Sequence, residues 1–230
     1  MARELARRSL PSGRTARVVM SEAADGDMAV GGPEDILAHR RQGLAPGPWT
    51  WLHQVHGTVV VEALEPGGAA GSTADAAVTT ANGASIAVQV ADCVPVAFLG
   101  ADGLAIAHAG WRGLRNGVLE RTAEALATVS DGPTEAVVGP HIGACCYGFG
   151  DRDLDDVAER LGPTVRAWTT DAGPALDLAA GVGHVLAALG IPLAVVDGSC
   201  TSCDERYWSF RATGTSRRQA MVAWIEPAGR

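Results

Sequence analysis

The sequence contains no lysine, so all 18 of its basic residues are arginines. A chain without lysine cannot form a Schiff base through that side chain, and it lacks the lysine of P-loop proteins and of protein kinases. Any phosphate that a side-chain cation binds here must be bound by arginine, whose planar fork matches phosphate oxygens. The absence of lysine therefore excludes several large enzyme classes and leaves arginine as the anion-binding side chain.

Signatures of export, of membrane insertion and of common cofactors are also missing. No apolar run of signal-peptide length follows the basic start, and none approaches the roughly 18 to 20 apolar residues of a membrane span. The motifs GxGxxG, GxSxG and HExxH do not occur. The five cysteines are an odd number, which argues against a disulfide framework and favours metal-binding or catalytic thiols. We therefore expect a cytoplasmic protein.

The charge balance limits the partners. The net charge is −8 and the sequence pI is about 5.2. Nucleic acids and anionic membranes are polyanions, so an acidic chain is a poor candidate to bind either, although a local group of arginines can still hold a small anion. We expect a small-molecule substrate, no nucleic acid and no membrane partner, and the sequence leaves the oligomeric state open.

The pattern of apolar residues predicts a single α+β domain with mixed β-sheets and packed helices. The chain has 230 residues, of which 47% are hydrophobic, and this is enough for a sizeable core. Residues 1–14 are interpreted as a flexible N-terminal leader and residues 15–230 as one catalytic domain. Strands are predicted at 15–20, 85–90, 94–99 and 103–108, and helices at 115–129 and 151–161. Strands and helices alternate without a regular βαβ rhythm, which favours mixed sheets.

Three short clusters carry side chains that bind metals. They are HQVHG around His56, ADCVP around Cys93 and HAGWRG starting at His108. Each lies at a predicted strand end or a glycine turn, where a side chain can be held rigidly beside a cleft. Two histidines and one cysteine match a catalytic zinc site, which has three protein ligands and an open fourth position. We predict that Zn²⁺ is bound by His56, Cys93 and His108.

The other four cysteines are harder to interpret. Cys200 and Cys203 form a CxxC, and a structural zinc site needs a second pair of cysteines. Cys145 and Cys146 are the available pair, but adjacent cysteines chelate one tetrahedral ion poorly. The sequence alone therefore favours ordinary thiols at all four positions.

The order of these motifs resembles the YfiH family, also called the laccase-domain or multicopper polyphenol oxidoreductase family. The three clusters match in order, and residues 139–147 (GPHIGACCY) look like the GPxIGxCCY segment of the family. Asp177-Leu178, Cys200-Thr201, residues 208–211 (WSFR) and Arg218-Gln219 look like its later motifs. The family's N-terminal TxRxGG arginine has no counterpart in residues 20–27 (MSEAADGD).

The resemblance implies a YfiH-like fold and purine nucleoside chemistry. Family members are similar in joining phosphorolysis of adenosine, inosine, guanosine and methylthioadenosine with deamination of adenosine. The laccase label implies several copper centres and hence many histidine ligands. This chain has six histidines, and His39, His53 and His184 match none of the metal motifs, which argues against copper oxidation.

The residues next to the metal motifs are candidates for the remaining roles. Zinc lowers the pKa of bound water to about 7, and a carboxylate must then carry the proton, as in other zinc deaminases. Asp92 is that candidate, with Cys93 and His108 completing the catalytic set; Asp92 is equally suited to orient a ligand histidine. The candidate substrate-binding residues are Gln54, Arg112, His141 and Arg211, each of which also has an ordinary structural interpretation.

Two other functions stay open from the sequence. One is a metal-free hydrolase, or an amidase acting on a peptidoglycan precursor, in which Cys93 is the nucleophile and His108 or His56 is its base. The other is a non-enzymatic binding protein that keeps only a structural zinc. Metal content and the thiol reactivity of Cys93 separate these interpretations.

Overall fold

A computed structural model describes residues 2–228, in which β-strands alternate with short helices. The strands in chain order are β1 (Arg3–Ser9), β2 (Thr15–Met20), β3 (Trp49–Thr50), β4 (Leu52–His53), β5 (Val60–Glu62), β6 (Ser72–Thr73), β7 (Ala76–Thr79), β8 (Ser85–Val90), β9 (Val94–Gly100), β10 (Leu104–Ala109), β11 (Pro133–Val138), β12 (Arg166–Trp168), β13 (Pro174–Leu176), β14 (Leu193–Val196) and β15 (Gln219–Glu226). The α-helices are α1 (Glu34–Gln42), α2 (Trp111–Asn116), α3 (Val118–Val129), α4 (Asp151–Leu161), α5 (Leu178–Ala188) and α6 (Phe210–Thr213).

Two mixed sheets form the frame of the molecule. The five-stranded sheet has the order β1-β2-β15-β8-β3, and the six-stranded sheet has the order β14-β11-β9-β10-β7-β5. The pairs β3–β8, β5–β7 and β11–β14 are parallel, and the other pairs within these two sheets are antiparallel. The smaller pairs β12–β13 and β4–β6 lie outside the two large sheets.

The two sheets pack face to face because their strands alternate apolar side chains between two buried faces. In β10, Leu104 and Ile106 belong to the core between the sheets, whereas Ala105 and Ala107 pack with the helices. Successive side chains of a strand point to opposite faces. The side chain of His108 therefore points to the face between the sheets, like that of Ile106.

Helices α2, α3, α4 and α5 cover the outer face of the six-stranded sheet. In α3, Leu119 and Leu126 lie seven residues apart on one face and are fully buried in the same core as Phe98 of β9. In α4 and α5 the buried Leu161 and Val182 join this core. The result is a sheet–sheet–helix arrangement, which confirms the predicted α+β domain with mixed sheets.

The prediction of a flexible leader over residues 1–14 is wrong for the part of it that forms β1. Arg3–Ser9 pairs antiparallel with β2, and Ala6 of β1 is buried in the core between the sheets. The alternation in β1 is weak because only Ala6 is buried, and three arginines hide it in the sequence. Met1 of that leader, and residues 229–230 of the predicted domain, lie outside the described residues.

The predicted helix at 115–129 is divided in two. Gly117 adopts a left-handed φ of 96° between α2 and α3. Glycine reaches this conformation without steric cost, so the chain changes direction there and α3 begins at Val118. None of the helices in residues 2–228 has the length and apolar character needed to cross a membrane.

If β1 is an integral strand, a charge at Ala6 should destabilise the fold. Ala6→Asp places a carboxylate in the core between the sheets, and we expect it to lower the free energy of unfolding by at least about 2 kcal/mol. The matched control is Arg7→Asp, which changes the exposed neighbour on the opposite face of β1. Urea unfolding followed by circular dichroism measures both, and equal stability of the two variants would contradict the role of β1.

Candidate functional site

The three predicted metal donors meet at one end of the six-stranded sheet. In the antiparallel pair β9–β10, His108 lies opposite Pro95, so Cys93, which directly precedes β9, is next to His108. His56 enters from the loop that follows β4. One donor atom from each of His56, Cys93 and His108 lies within 4.8 Å of the others. This group, called the His-Cys-His site below, can hold a metal ion.

The donors are closely packed. The Sγ of Cys93 is 3.8 Å from Nε2 of His56, and the rings of His56 and His108 are 4.8 Å apart between centroids at 68°. Gly110, just after β10, lies against them. A Cβ on Gly110 would be 2.5 Å from Cδ2 of His56 and 3.1 Å from Sγ of Cys93. Only glycine leaves room for both donors, which explains the HAGWRG motif.

Asp75 positions two of the three donors. Its carboxylate accepts a 2.8 Å hydrogen bond from Nδ1 of His108 and bonds of 2.9, 2.7 and 3.2 Å from the backbone N–H groups of His56, Gly57 and Val55. Since Nδ1 of His108 carries the proton, its Nε2 is the atom left for a metal. A carboxylate behind a ligand histidine is the usual arrangement in zinc sites.

Asp75 was not among the residues predicted from the sequence. The available signal is an acidic residue directly before a short apolar run, residues 76–78 (AAV). Asp75 is fully buried. Its neighbour Ala76 lies opposite Ala107 in β10, so the strand register places Asp75 beside His108.

The ionisable groups Cys93, His108 and Asp75 shift one another's pKa values. Burial raises the pKa of the Cys93 thiol, but the charge and hydrogen bond of His108, together with those of His56, outweigh it and lower the pKa to about 6. Burial lowers the pKa of His108, but the Cys93 thiolate and Asp75 outweigh it and raise the pKa to about 9. Burial likewise opposes ionisation of Asp75, and the bonds from His108 and Gly57 keep its pKa below the usual value. A thiolate at neutral pH is the form that binds a metal.

Asp92 lies where the chain turns, directly before the donor Cys93. Its φ of 99° lies in the left-handed region, which is unusual for a residue other than glycine and is found at functional sites. Its carboxylate accepts a 2.7 Å hydrogen bond from the hydroxyl of Thr201 and a 2.6 Å hydrogen bond from the backbone N–H of Arg211. Asp92 thus fastens the start of α6 to the segment that carries Cys93. The carboxylate that orients a ligand histidine belongs to Asp75 instead.

Two arginines and three aromatic rings form a group in the segments around the donors, with Trp111 and Arg112 following His108 closely in the chain. The guanidinium of Arg112 is 4.3 Å above the ring of Trp111, and that of Arg211 is 4.7 Å above the ring of Tyr147. Arg211 also donates a 2.7 Å bond to the carbonyl of Gly148. Burial raises the pKa of Tyr147 to about 12, and the negative charge of Cys93 adds to this. The phenol is therefore protonated at neutral pH.

The third aromatic ring, that of Phe149, packs between the rings of Trp111 and Tyr147, which carry the two arginines. Phe149 packs edge-to-face on Trp111 at 5.4 Å and tilted on Tyr147 at 5.5 Å between centroids. In the part of the chain that the structure describes, no carboxylate pairs with Arg112. The surface beside the donors is therefore aromatic and cationic.

The other two candidate binding residues are held by backbone groups. Gln54 accepts a 2.8 Å bond from the backbone N–H of Gln89 and donates a 2.8 Å bond to its carbonyl. His141 is buried and donates from Nδ1 to the carbonyl of Gly139 at 2.8 Å. Burial lowers the pKa of His141, so the ring is neutral with Nε2 as an acceptor. Their contact with a substrate stays a prediction.

The four remaining cysteines form a second group, contrary to the preference for separate ordinary thiols. One sulfur from each of Cys145, Cys146, Cys200 and Cys203 lies within 4.8 Å of the others. The adjacent pair lies in a 3₁₀ turn, Ala144–Cys146, and a bridge between His141 and Cys200 brings the two segments together. This group can also hold a metal ion.

The sequence matches a known protein family and individual relatives of described function. The family model described as multi-copper polyphenol oxidoreductase laccase matches residues 19–226. A purine nucleoside phosphorylase of Corynebacterium glutamicum is 34% identical over 212 residues, which cover 87% of this chain and 85% of that protein.

Solved structures share the fold. A Neisseria meningitidis protein assigned to the family model DUF152 superposes with a TM-score of 0.80 at 23% identity and covers 98% of this chain and 99% of its own. The hypothetical protein YfiH of Bacillus licheniformis superposes with a TM-score of 0.78 at 20% identity, covering 95% of this chain and 98% of its own.

The role of Asp75 can be tested through metal affinity. Asp75→Asn weakens the hydrogen bond that orients His108 and removes the negative charge behind it, so we expect affinity for added Zn²⁺ at the His-Cys-His site to fall by about 10- to 100-fold. Competition with a chromophoric chelator measures the affinity. The control is Asp156→Asn, which changes a surface partner of Arg115. Unchanged zinc affinity in a folded Asp75→Asn protein would contradict the orienting role.

Proposed function

The chain belongs to the multi-copper polyphenol oxidoreductase laccase family, which includes YfiH, and from this membership we propose that it is a zinc-dependent purine nucleoside phosphorylase that also deaminates adenosine. The observation that carries the proposal is the convergence of His56, Cys93 and His108 within 4.8 Å, with the Asp75 carboxylate behind His108. The phosphorylase name of the Corynebacterium relative supports the substrate class.

The donor set fits zinc. Two imidazole nitrogens and one thiolate are ligands that Zn²⁺ accepts, and three protein ligands leave a fourth position open. Asp75 fixes the tautomer of His108, and the imidazoles hold Cys93 as a thiolate, so the three donors need little rearrangement. Zn²⁺ bound there would supply a Lewis acid that makes water a nucleophile near neutral pH.

Asp92 is the candidate proton carrier for deamination. In that reaction water replaces the 6-amino group of adenosine, and one proton passes from the water to the departing ammonia. The hydroxyl of Thr201 and the backbone N–H of Arg211 both donate hydrogen bonds to the Asp92 carboxylate, which directly precedes the donor Cys93 in the chain.

Arg112 and Arg211 are the candidate phosphate ligands for phosphorolysis. In this reaction phosphate attacks C1′ of the ribose, the bond to the purine breaks, and ribose 1-phosphate and the free base are formed. The family's usual N-terminal arginine is absent from residues 20–27, so these two cations next to the donors must provide the charge. The rings of Trp111 and Tyr147 beside them are suited to stacking on a purine.

The family description points to copper oxidation, which this chain fits poorly. Of its six histidines, His56 and His108 are the two that fall in a metal-capable group within residues 2–228. Several copper centres need many more histidine ligands. We therefore propose nucleoside chemistry rather than phenol oxidation.

A second candidate function is a metal-free hydrolase, or an amidase whose substrate is a peptidoglycan precursor. It is favoured by the pKa of about 6 of the Cys93 thiol beside the His108 imidazolium, an ion pair that also serves nucleophilic catalysis. Purified protein that is active without zinc and that loses activity on alkylation of Cys93 would support this function over the first.

Incubation with adenosine, with and without phosphate, tests the proposal directly. We expect inosine without phosphate, and adenine or hypoxanthine only when phosphate is present, as measured by chromatography. His56→Ala removes one metal donor and should lower both reactions by at least about 100-fold, together with zinc at this site. The control is His53→Ala, an exposed histidine three residues away. Full turnover by a zinc-depleted His56→Ala protein would overturn the metal mechanism.

The phosphate role of Arg112 predicts an unequal effect on the two reactions. Arg112→Ala should lower kcat/KM for phosphate by about 10- to 100-fold, because a charged hydrogen bond contributes about 1.5–3 kcal/mol, and should leave deamination within a few-fold. The control is Arg115→Ala on the same helix, whose guanidinium pairs with Asp156. Equal losses in phosphorolysis and deamination would argue against phosphate binding by Arg112.

A further inference from the structure

The proposed reaction uses only one of the five cysteines, although the other four lie together. All five are free thiols. The Sγ of Cys203 is 3.3 Å from that of Cys146 and 3.9 Å from that of Cys145. Four sulfurs bound to one zinc at about 2.3 Å stand about 3.8 Å apart in a tetrahedron. The observed spacing is therefore close to that of a tetrahedral tetrathiolate site.

The backbone contributes a hydrogen bond to one of these sulfurs. The N–H of Gly143 donates to Sγ of Cys200 at 3.2 Å. Such bonds to ligand sulfurs tune and fix a metal site. A Cβ on Gly143 would lie 3.2 Å from Sγ of Cys145 and 3.3 Å from Cβ of Cys200, so a larger residue there would press on the sulfurs.

We infer that Cys145, Cys146, Cys200 and Cys203 bind a structural zinc ion, separate from the His-Cys-His site. Four soft sulfur donors select zinc over the hard cations. With all four positions filled by protein, the ion has no open position for water or substrate and its role is structural. The inference does not depend on the proposed nucleoside reaction.

The four cysteines of this tetrathiolate site come from two segments of the chain, so a bound ion would link those segments. It joins the segment that carries His141 and Tyr147 to the turn that carries Thr201, whose hydroxyl holds Asp92. The bridge between His141 and Cys200 connects the same two segments, through hydrogen bonds from the N–H of His141 to Ser199 and from the N–H of Thr201 to His141. A zinc ion here would fix the wall of the candidate active site from a point outside it.

Zinc content per chain tests the inference. Metal analysis after dialysis against a weak chelator should give about two zinc ions per chain in the unchanged protein and about one in Cys203→Ser. Cys203 is exposed, so serine there should leave the fold intact. Ser202→Ala, within the same turn, is the matched control and should keep about two. Equal zinc content in Cys203→Ser and the unchanged protein would overturn the inference.

Cobalt spectroscopy in a His56→Ala protein isolates this site from the His-Cys-His site. With Co²⁺ bound to four thiolates we expect strong thiolate-to-cobalt charge transfer and tetrahedral visible bands, both lost in the His56→Ala, Cys203→Ser double variant. This result is independent of nucleoside turnover, so failure of the proposed function and failure of the zinc inference are distinguishable. Absence of these bands, or a thiol titration of the unfolded protein below five, which indicates a disulfide, would overturn the inference.

Discussion

The geometry of the candidate active site depends on one buried carboxylate. Asp75 binds the ring of His108 and three consecutive backbone N–H groups around His56. His56 has a left-handed φ of 58°, which costs about 1–3 kcal/mol for a residue other than glycine. The hydrogen bond from its N–H to Asp75 offsets that strain. Two donors far apart in sequence are thus fixed by the same group, and the third follows from the pairing of β9 and β10.

Much of this arrangement could be predicted from the sequence, because it is local. The apolar runs of β8, β9 and β10 are clear without coordinates, and the ends of these strands mark Cys93 and His108. Their convergence could be expected because antiparallel pairing brings the start of β9, which follows Cys93, beside the end of β10, which carries His108. The family motifs added the functional class.

The parts that escaped prediction depend on contacts between distant segments. Asp75 looks like an ordinary polar residue until the register of β7 on β10 places it beside His108. The four cysteines look unsuited to one ion, because the sequence does not reveal the 3₁₀ turn that orients Cys145 and Cys146 or the bridge from His141 to Cys200. Strand β1 was missed since a single buried alanine among arginines carries almost no periodic signal.

The position of β15 has a consequence for biosynthesis. It is the last strand of the described residues 2–228, yet it occupies the middle of the five-stranded sheet, between β2 and β8. Until β15 has been synthesised, β2 and β8 each lack a neighbouring strand. Their backbone N–H and C=O groups on that side are unpaired and can pair with a wrong strand. The sheet can close only after residues 219–226 have emerged, so a stalled or truncated chain should be prone to aggregation and dependent on chaperones.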